Sequence, residues 1–148
     1  MLNDNLKVTG DVVVEITGAD GQIKDRREIK NLVVATGKTF IASRMVGTPT
    51  TMSHMAVGSN STAAATGDTT LGAALGRVAL TSSTSSGAVV TYVASFPPGT
   101  GTGAVVEAGI FNDASAGTML CHRLQRRYCS NRQPCGSSSL ACQPYGQQ

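Results

Sequence analysis

Hydrophobic and polar positions alternate with a period of two along much of this chain, as expected of strands with one face buried and one wet. In "LKVTGDVVVEIT", Val12, Val14 and Ile16 fall on one face. In "QIKDRREIKNLVV", Lys24, Arg26, Glu28 and Lys30 alternate against Ile23 and Ile29. The two runs flank "GADG", whose Asp20-Gly21 step predicts a hairpin, because glycine accepts positive φ without a steric penalty. The alternation breaks at "TGKTFIASRMVG", where Phe40, Ile41, Arg44 and Met45 have helical spacing. A Thr or Gly can cap that segment and Gly47 with Pro49 can end it, so one short helix is predicted around Thr39–Met45.

Beyond it, "TMSHMAVGS" predicts a strand, "NSTAAATGDTTLGAAL" a long loop of small residues, and "GRVALTSSTSSG" a strand whose end, "TSSTSS" at 81–86, has the composition of a polar loop. "AVVTYVASF" and "GAVVEAGIFND" predict two strands joined by a flexible hairpin connection, "PPGTGT", and "GTMLCHRL" predicts one more. Short strands at regular intervals with Gly, Pro and Ser punctuation specify an all-β fold, a jelly-roll or β-sandwich of about seven to eight antiparallel strands with one short helix.

Composition sharpens that picture. A chain of 148 residues fits one domain with a genuine core. Its apolar side chains are mainly Val, Ala, Leu and Ile, with three Phe, three Tyr and no Trp, which suits packed sheets better than a helical bundle. No apolar run approaches the roughly 20 residues a membrane-crossing helix needs, and "MLNDNLKVTG" lacks the pattern of a signal peptide.

Charge divides the chain unevenly. All nine acidic residues precede position 121, whereas residues 121–148 carry four Arg, no acid and all four Cys, at 121, 129, 135 and 142. Val and Ile vanish there. The expected organisation is therefore a β domain over residues 1–120 followed by a basic, Cys-containing tail over 121–148, irregular in structure or the product of a reading-frame change.

Four motifs were weighed for chemistry. "VVATGKT" ends like a phosphate-binding loop, but the spacing requires Gly where Leu32 stands, so a strand running into a helix is the better explanation. Gly99, Gly101 and Gly103 precede a β-branched run, leaving no helix N-terminus to receive a pyrophosphate. His54 and His122 are the only histidines, neither sits in a known nucleophile pattern, and no spacing singles out a carboxylate pair among Asp68, Glu107 and Asp113. The cysteine gaps match no zinc pattern, and "HRLQRRYCSNR" offers a few phosphate-attracting charges without the basic surface of a dedicated nucleic-acid binder. These readings nominate no catalytic residue, cofactor or metal.

At "NLVVATGKTFIASRM", "MSHMAVGSNSTAAATGDTTLG", "LGRVALTS", "VVTYVASF" and "EAGIFNDASAGTMLC" the chain resembles the capsid cement, or decoration, proteins of short-tailed double-stranded-DNA bacteriophages, over about residues 28–121. Related modules occur among phage tail proteins. The resemblance implies a jelly-roll or β-sandwich made in the host cytoplasm and carried on the outer capsid surface of the virion. Such a protein bridges the major capsid protein lattice, often as a dimer, without catalysis, cofactor, membrane or specific nucleic-acid binding. The alternative is a tail or fibre-associated module that binds a host-surface ligand; a third class, a small hydrolase or nucleotide-binding enzyme, lacks its motifs. Candidate partner contacts are Lys24, Arg26, Arg27, Glu28 and Lys30 in the charged hairpin, with Lys38 and Arg44 on or beside the helix.

Overall fold

The structure, a computed structural model, describes residues 7–124 and 138–143. Two five-stranded antiparallel sheets pack face to face. Sheet A has the order β2-β1-β10-β7-β6 and sheet B the order β3-β9-β8-β4-β5. The strands are β1 Asp11–Thr17, β2 Ile23–Lys30, β3 Leu32–Val33, β4 His54–Gly58, β5 Ala74–Ala79, β6 Ser82–Ser86, β7 Val89–Phe96, β8 Glu107–Phe111, β9 Met119–Leu124 and β10 Ser138–Gln143. One helix, α1, spans Ala35–Arg44.

The expected all-β architecture with one short helix is the architecture found. The strand number is higher because two runs bend from one sheet into the other and because β10 forms beyond residue 121. Only Asn31 separates β2 at an edge of sheet A from β3 at an edge of sheet B, and only Leu80 and Thr81 separate β5 from β6 at the opposite edges. Strands that switch sheets in this way form the corners of a sandwich.

The β1–β2 hairpin forms as the alternation predicts, with Gly21 at φ 75° in its turn. Val12 and Val14 enter the space between the sheets, where Met55 and Val57 from β4, Ala94 and Phe96 from β7, and Ala108 and Ile110 from β8 complete the core. A second, smaller core lies on the other face of sheet B, made of Val34, Ala56, Leu71, Phe111 and Met119. All five residues of β8 are buried, because sheet B is covered on both faces.

The helix starts earlier than its apolar spacing indicated. Val34 occupies the N-cap without a side-chain cap bond, and β9 and the 59–73 loop hold the first turn instead: Val34 N donates to Leu120 O at 3.3 Å and Ala35 N to Thr66 O at 2.7 Å. Gly37 makes the close approach possible, since a Cβ there would lie 2.0 Å from Leu120 O.

Two expectations are corrected. The polar run at 81–86 is not a loop: Ser82–Ser86 pair with Val89–Val93 as β6, because ladder hydrogen bonds need no apolar side chains. The "PPGTGT" stretch does not close a hairpin, since β7 lies in sheet A and β8 in sheet B; it crosses between sheets. Gly101 packs there against Val57 and Phe96 with φ 70°, a conformation that glycine adopts without strain. β9 runs through residue 120, and β10 lies in the middle of sheet A between β1 and β7. Pairing depends on backbone groups, so the loss of Val and Ile after residue 120 did not end the sheet. The basic stretch 125–137, with Cys129 and Cys135, lies outside the described residues.

Candidate functional site

The charged residues singled out from sequence separate onto three surfaces. Lys24, Arg26, Glu28 and Lys30 share one exposed face of β2, on the side of sheet A that faces away from the core. There Arg26 Nε donates to Glu15 Oε1 of β1 at 2.9 Å, and Lys30 stands opposite Asp11 in the β1–β2 register. At the hairpin end Lys24 Nζ meets Asp20 Oδ2 at 2.6 Å. That contact and the Gln22 backbone N–H hold the Asp20 carboxyl below its ordinary value. The result is a mixed-sign field of side chains on the outer face of β1 and β2, with Val13 between the charged positions of β1.

The other candidates do not join it. Arg27 lies on the opposite face of β2, where its Nη2 contacts Asp25 Oδ2 at 2.5 Å. Lys38 and Arg44 are exposed on α1, which packs on β9 of sheet B. Arg44 Nη1 donates to Pro49 O at 2.9 Å, fastening the chain that leaves the helix.

The structure also assembles a cluster that spacing alone did not reveal. His122 on β9 lies between two carboxylates: its Nδ1 is 2.6 Å from Asp68 Oδ2 and its Nε2 is 3.2 Å from Glu107 Oε2. Glu107 is only 2% exposed and His122 4%. Three backbone amides also converge on Glu107, Asn60 N at 3.1 Å and Ala73 N at 2.8 Å on Oε1, and Gly72 N at 2.9 Å on Oε2. With His122 that makes four contacts on its two oxygens.

Asp68 is held below its ordinary value, first by the Ala65 N–H and then by His122. The two ring nitrogens of His122 thus each face one carboxylate oxygen. Gly58 is the residue that admits the Glu107 side chain, since a Cβ there would lie 2.3 Å from Oε1.

Chemically this cluster is a clasp. It ties the 59–73 loop to β8 and β9 and engages both oxygens of the buried Glu107 carboxyl. It does not suit a cation either, because His122 occupies the space between the carboxylates. Among the described residues no group of three or more His, Cys, Asp or Glu is disposed to hold a metal ion.

A second histidine contact exists at Ser53, whose Oγ lies 2.8 Å from His54 Nδ1. A Ser–His pair becomes a nucleophile only with a group orienting the base and donors for an oxyanion. The carboxylate with an electrostatic hold on this region, Asp113, already accepts the Ser115 and Ala116 amides through Oδ1, and these keep its carboxyl low. That turn is gripped from β5: Arg77 Nη1 donates to the carbonyls of Asp113 at 3.0 Å and Ala116 at 2.9 Å, while its guanidinium sits 3.7 Å from the centroid of the Phe111 ring.

The clasp escaped sequence reading because Asp68 and His122 are 54 residues apart and the strand positions of Glu107 and His122 carry no motif. One signal was legible: Glu107 is an acidic residue inside an otherwise apolar strand, a placement that calls for buried partners. Set against protein-family models, curated proteins and solved structures, the chain matches none of them.

Proposed function

We propose that this protein is a structural virion component, a cement or decoration protein that binds the outside of a phage capsid lattice and bridges major capsid protein subunits. The sequence resemblance over residues 28–121 suggests that setting. The observation that carries the reading is the distribution of surfaces. Sheet B is packed on both faces and the loop over it is clasped to β8 and β9, whereas β2 at the edge of sheet A exposes Lys24, Arg26, Glu28 and Lys30 on its outer face. A body that bridges neighbours needs rigidity and a wide polar contact face rather than a cleft. A contact of about 800 Å² per partner is enough for a specific interface, and engaging two lattice subunits at once multiplies modest affinities.

Quantitative mass analysis of purified particles, followed by rebinding of the purified protein to stripped heads, tests this. We expect copies in proportion to shell subunits and binding that weakens with salt, because exposed charges are screened over about 10 Å at 0.1 M ionic strength. The triple variant Lys24→Gln/Arg26→Gln/Lys30→Gln should stay folded, with a small drop in melting temperature from the lost Asp20 and Glu15 pairs, and lose rebinding. A handful of copies confined to the tail, with intact heads after stripping, would replace this reading with a tail module that binds a host-surface ligand.

A further inference from the structure

Among the described residues, every arginine but one has an acceptor. Arg26 meets Glu15, Arg27 meets Asp25, Arg44 donates to Pro49 O, and Arg77 donates to the carbonyls of Asp113 and Ala116. Arg123 is the exception, for its Nε is buried and donates to nothing. Arg123 stands opposite Ala108 in the β8–β9 register, on the face of sheet B that packs against sheet A. Burial holds the guanidinium below its ordinary value, and no neighbouring carboxylate counters that effect. At Arg77 the charge of Asp113 offsets the same burial.

Arg123 borders a small, partly enclosed cavity between the sheets, walled by Val12 and Val14 of β1, Ile29 of β2, and Val106 and Ala108. Glu107 also borders it, but its carboxyl is directed elsewhere, to the amides of the 59–73 loop and to His122. The space suits about one water-sized particle. A buried polar atom without a partner calls for a water or an ion. A buried water needs about two to four polar partners, and these apolar walls offer it little besides Nε. An anion needs less, because a single charge-assisted bond from a cation is strong and also neutralises the buried charge.

We infer that the Arg123 cavity is a monovalent halide site, in which chloride or bromide accepts from Nε and ties β9 of sheet B to β1 and β2 of sheet A. The size of the cavity excludes phosphate, sulfate and carboxylates. Its apolar walls favour an ion that gives up its hydration at low cost, so chloride and bromide should bind better than fluoride. This inference does not depend on what the charged face of sheet A binds.

Melting of the full chain at constant ionic strength, with sodium gluconate replaced stepwise by sodium chloride or bromide, tests the inference. Wild type should gain stability saturably, by about 3–6 °C once halide is roughly tenfold above its Kd, and potassium salts should act alike. Arg123→Met, which keeps the length of the side chain and removes its charge, should be at least as stable as wild type in gluconate and show no such rise. In crystals of the wild-type chain soaked in bromide, an anomalous peak should lie within hydrogen-bond distance of Arg123 Nε. A wild-type melt indifferent to halide, an equal rise in Arg123→Met, or bromide present as an adventitious ion only, away from Nε, overturns the inference.

Discussion

Replacing Glu107 by Gln tests the clasp with almost no change of shape. The Gln carbonyl can remain where Oε1 is and go on accepting the Asn60 and Ala73 amides. The new NH₂ then replaces Oε2, facing the Gly72 N–H at the position now 2.9 Å away and the His122 Nε2 now at 3.2 Å. The Gly72 N–H then faces a donor and has no acceptor in its place. A buried amide left unpaired costs about 1–3 kcal/mol, and exchanging a charge-assisted bond for a neutral one forfeits a further 1 kcal/mol or so. The sum, about 2–4 kcal/mol, corresponds to a fall in melting temperature of roughly 5–15 °C for a domain of this size. Thermal and urea melts of the full chain measure it, and a cycle with His122→Gln should return a coupling of about 1 kcal/mol or more, since the two side chains share one network. Hydrogen exchange should accelerate first at Asn60, Gly72 and Ala73. A Glu107→Gln variant within about 0.5 kcal/mol of wild type, a range ordinary for surface substitutions, would refute the claim that this carboxylate fastens the loop.

Two further perturbations follow from the same structure. Asp20, Asp68 and Asp113 are each held below their ordinary value near 3.8, by Lys24, by the Ala65 N–H and by the Ser115 and Ala116 amides among others, so their protonation is linked to unfolding. Because the folded values lie below the unfolded ones, this stabilisation is complete above the unfolded value and is lost as pH falls through the folded values. Melting temperature should therefore decline on acidification below about pH 4, and Asp68→Asn with Asp113→Asn should flatten that limb; an acid limb of unchanged slope would count against these contacts. Gly37→Ala, normally favourable in a helix by about 1 kcal/mol, should here destabilise by about 1–3 kcal/mol in a urea melt, because the added methyl meets Leu120 O and forces α1 away from β9. A neutral or stabilising result would mean that the helix does not lie against that strand.

How much of this was legible in the sequence varied with the kind of information each element carries. The β1–β2 hairpin was clear because its apolar alternation and its Asp-Gly turn are local signals that agree. The strands β4, β7, β8 and β9 were visible as small-branched runs. β6 was not, because a strand exposed on both faces has no hydrophobic period to read, and β10 was obscured by the polar, cysteine-containing composition around it. The early start of α1 likewise followed from backbone contacts with Leu120 and Thr66 rather than from its own side chains.

For function the division is sharper. The row Lys24, Arg26, Glu28 and Lys30 was readable because period two places alternate residues on one face wherever a strand forms. Arg27 was named with them, yet the same period sends it to the other side, and Lys38 and Arg44 belong to a different layer. The Asp68–His122–Glu107 clasp could not be read, since three residues from a loop and two strands meet only after the sheet is registered and the 59–73 loop is folded over it.

By itself, then, the sequence determined the local conformations: alternating small branched residues make strands, and glycines permit the turns between them. Which sheet each strand joins, which edges stay open, and which charged side chains meet were decided by tertiary structure. Those outcomes depend on pairing and packing between segments far apart in the chain, and no short window of residues encodes them.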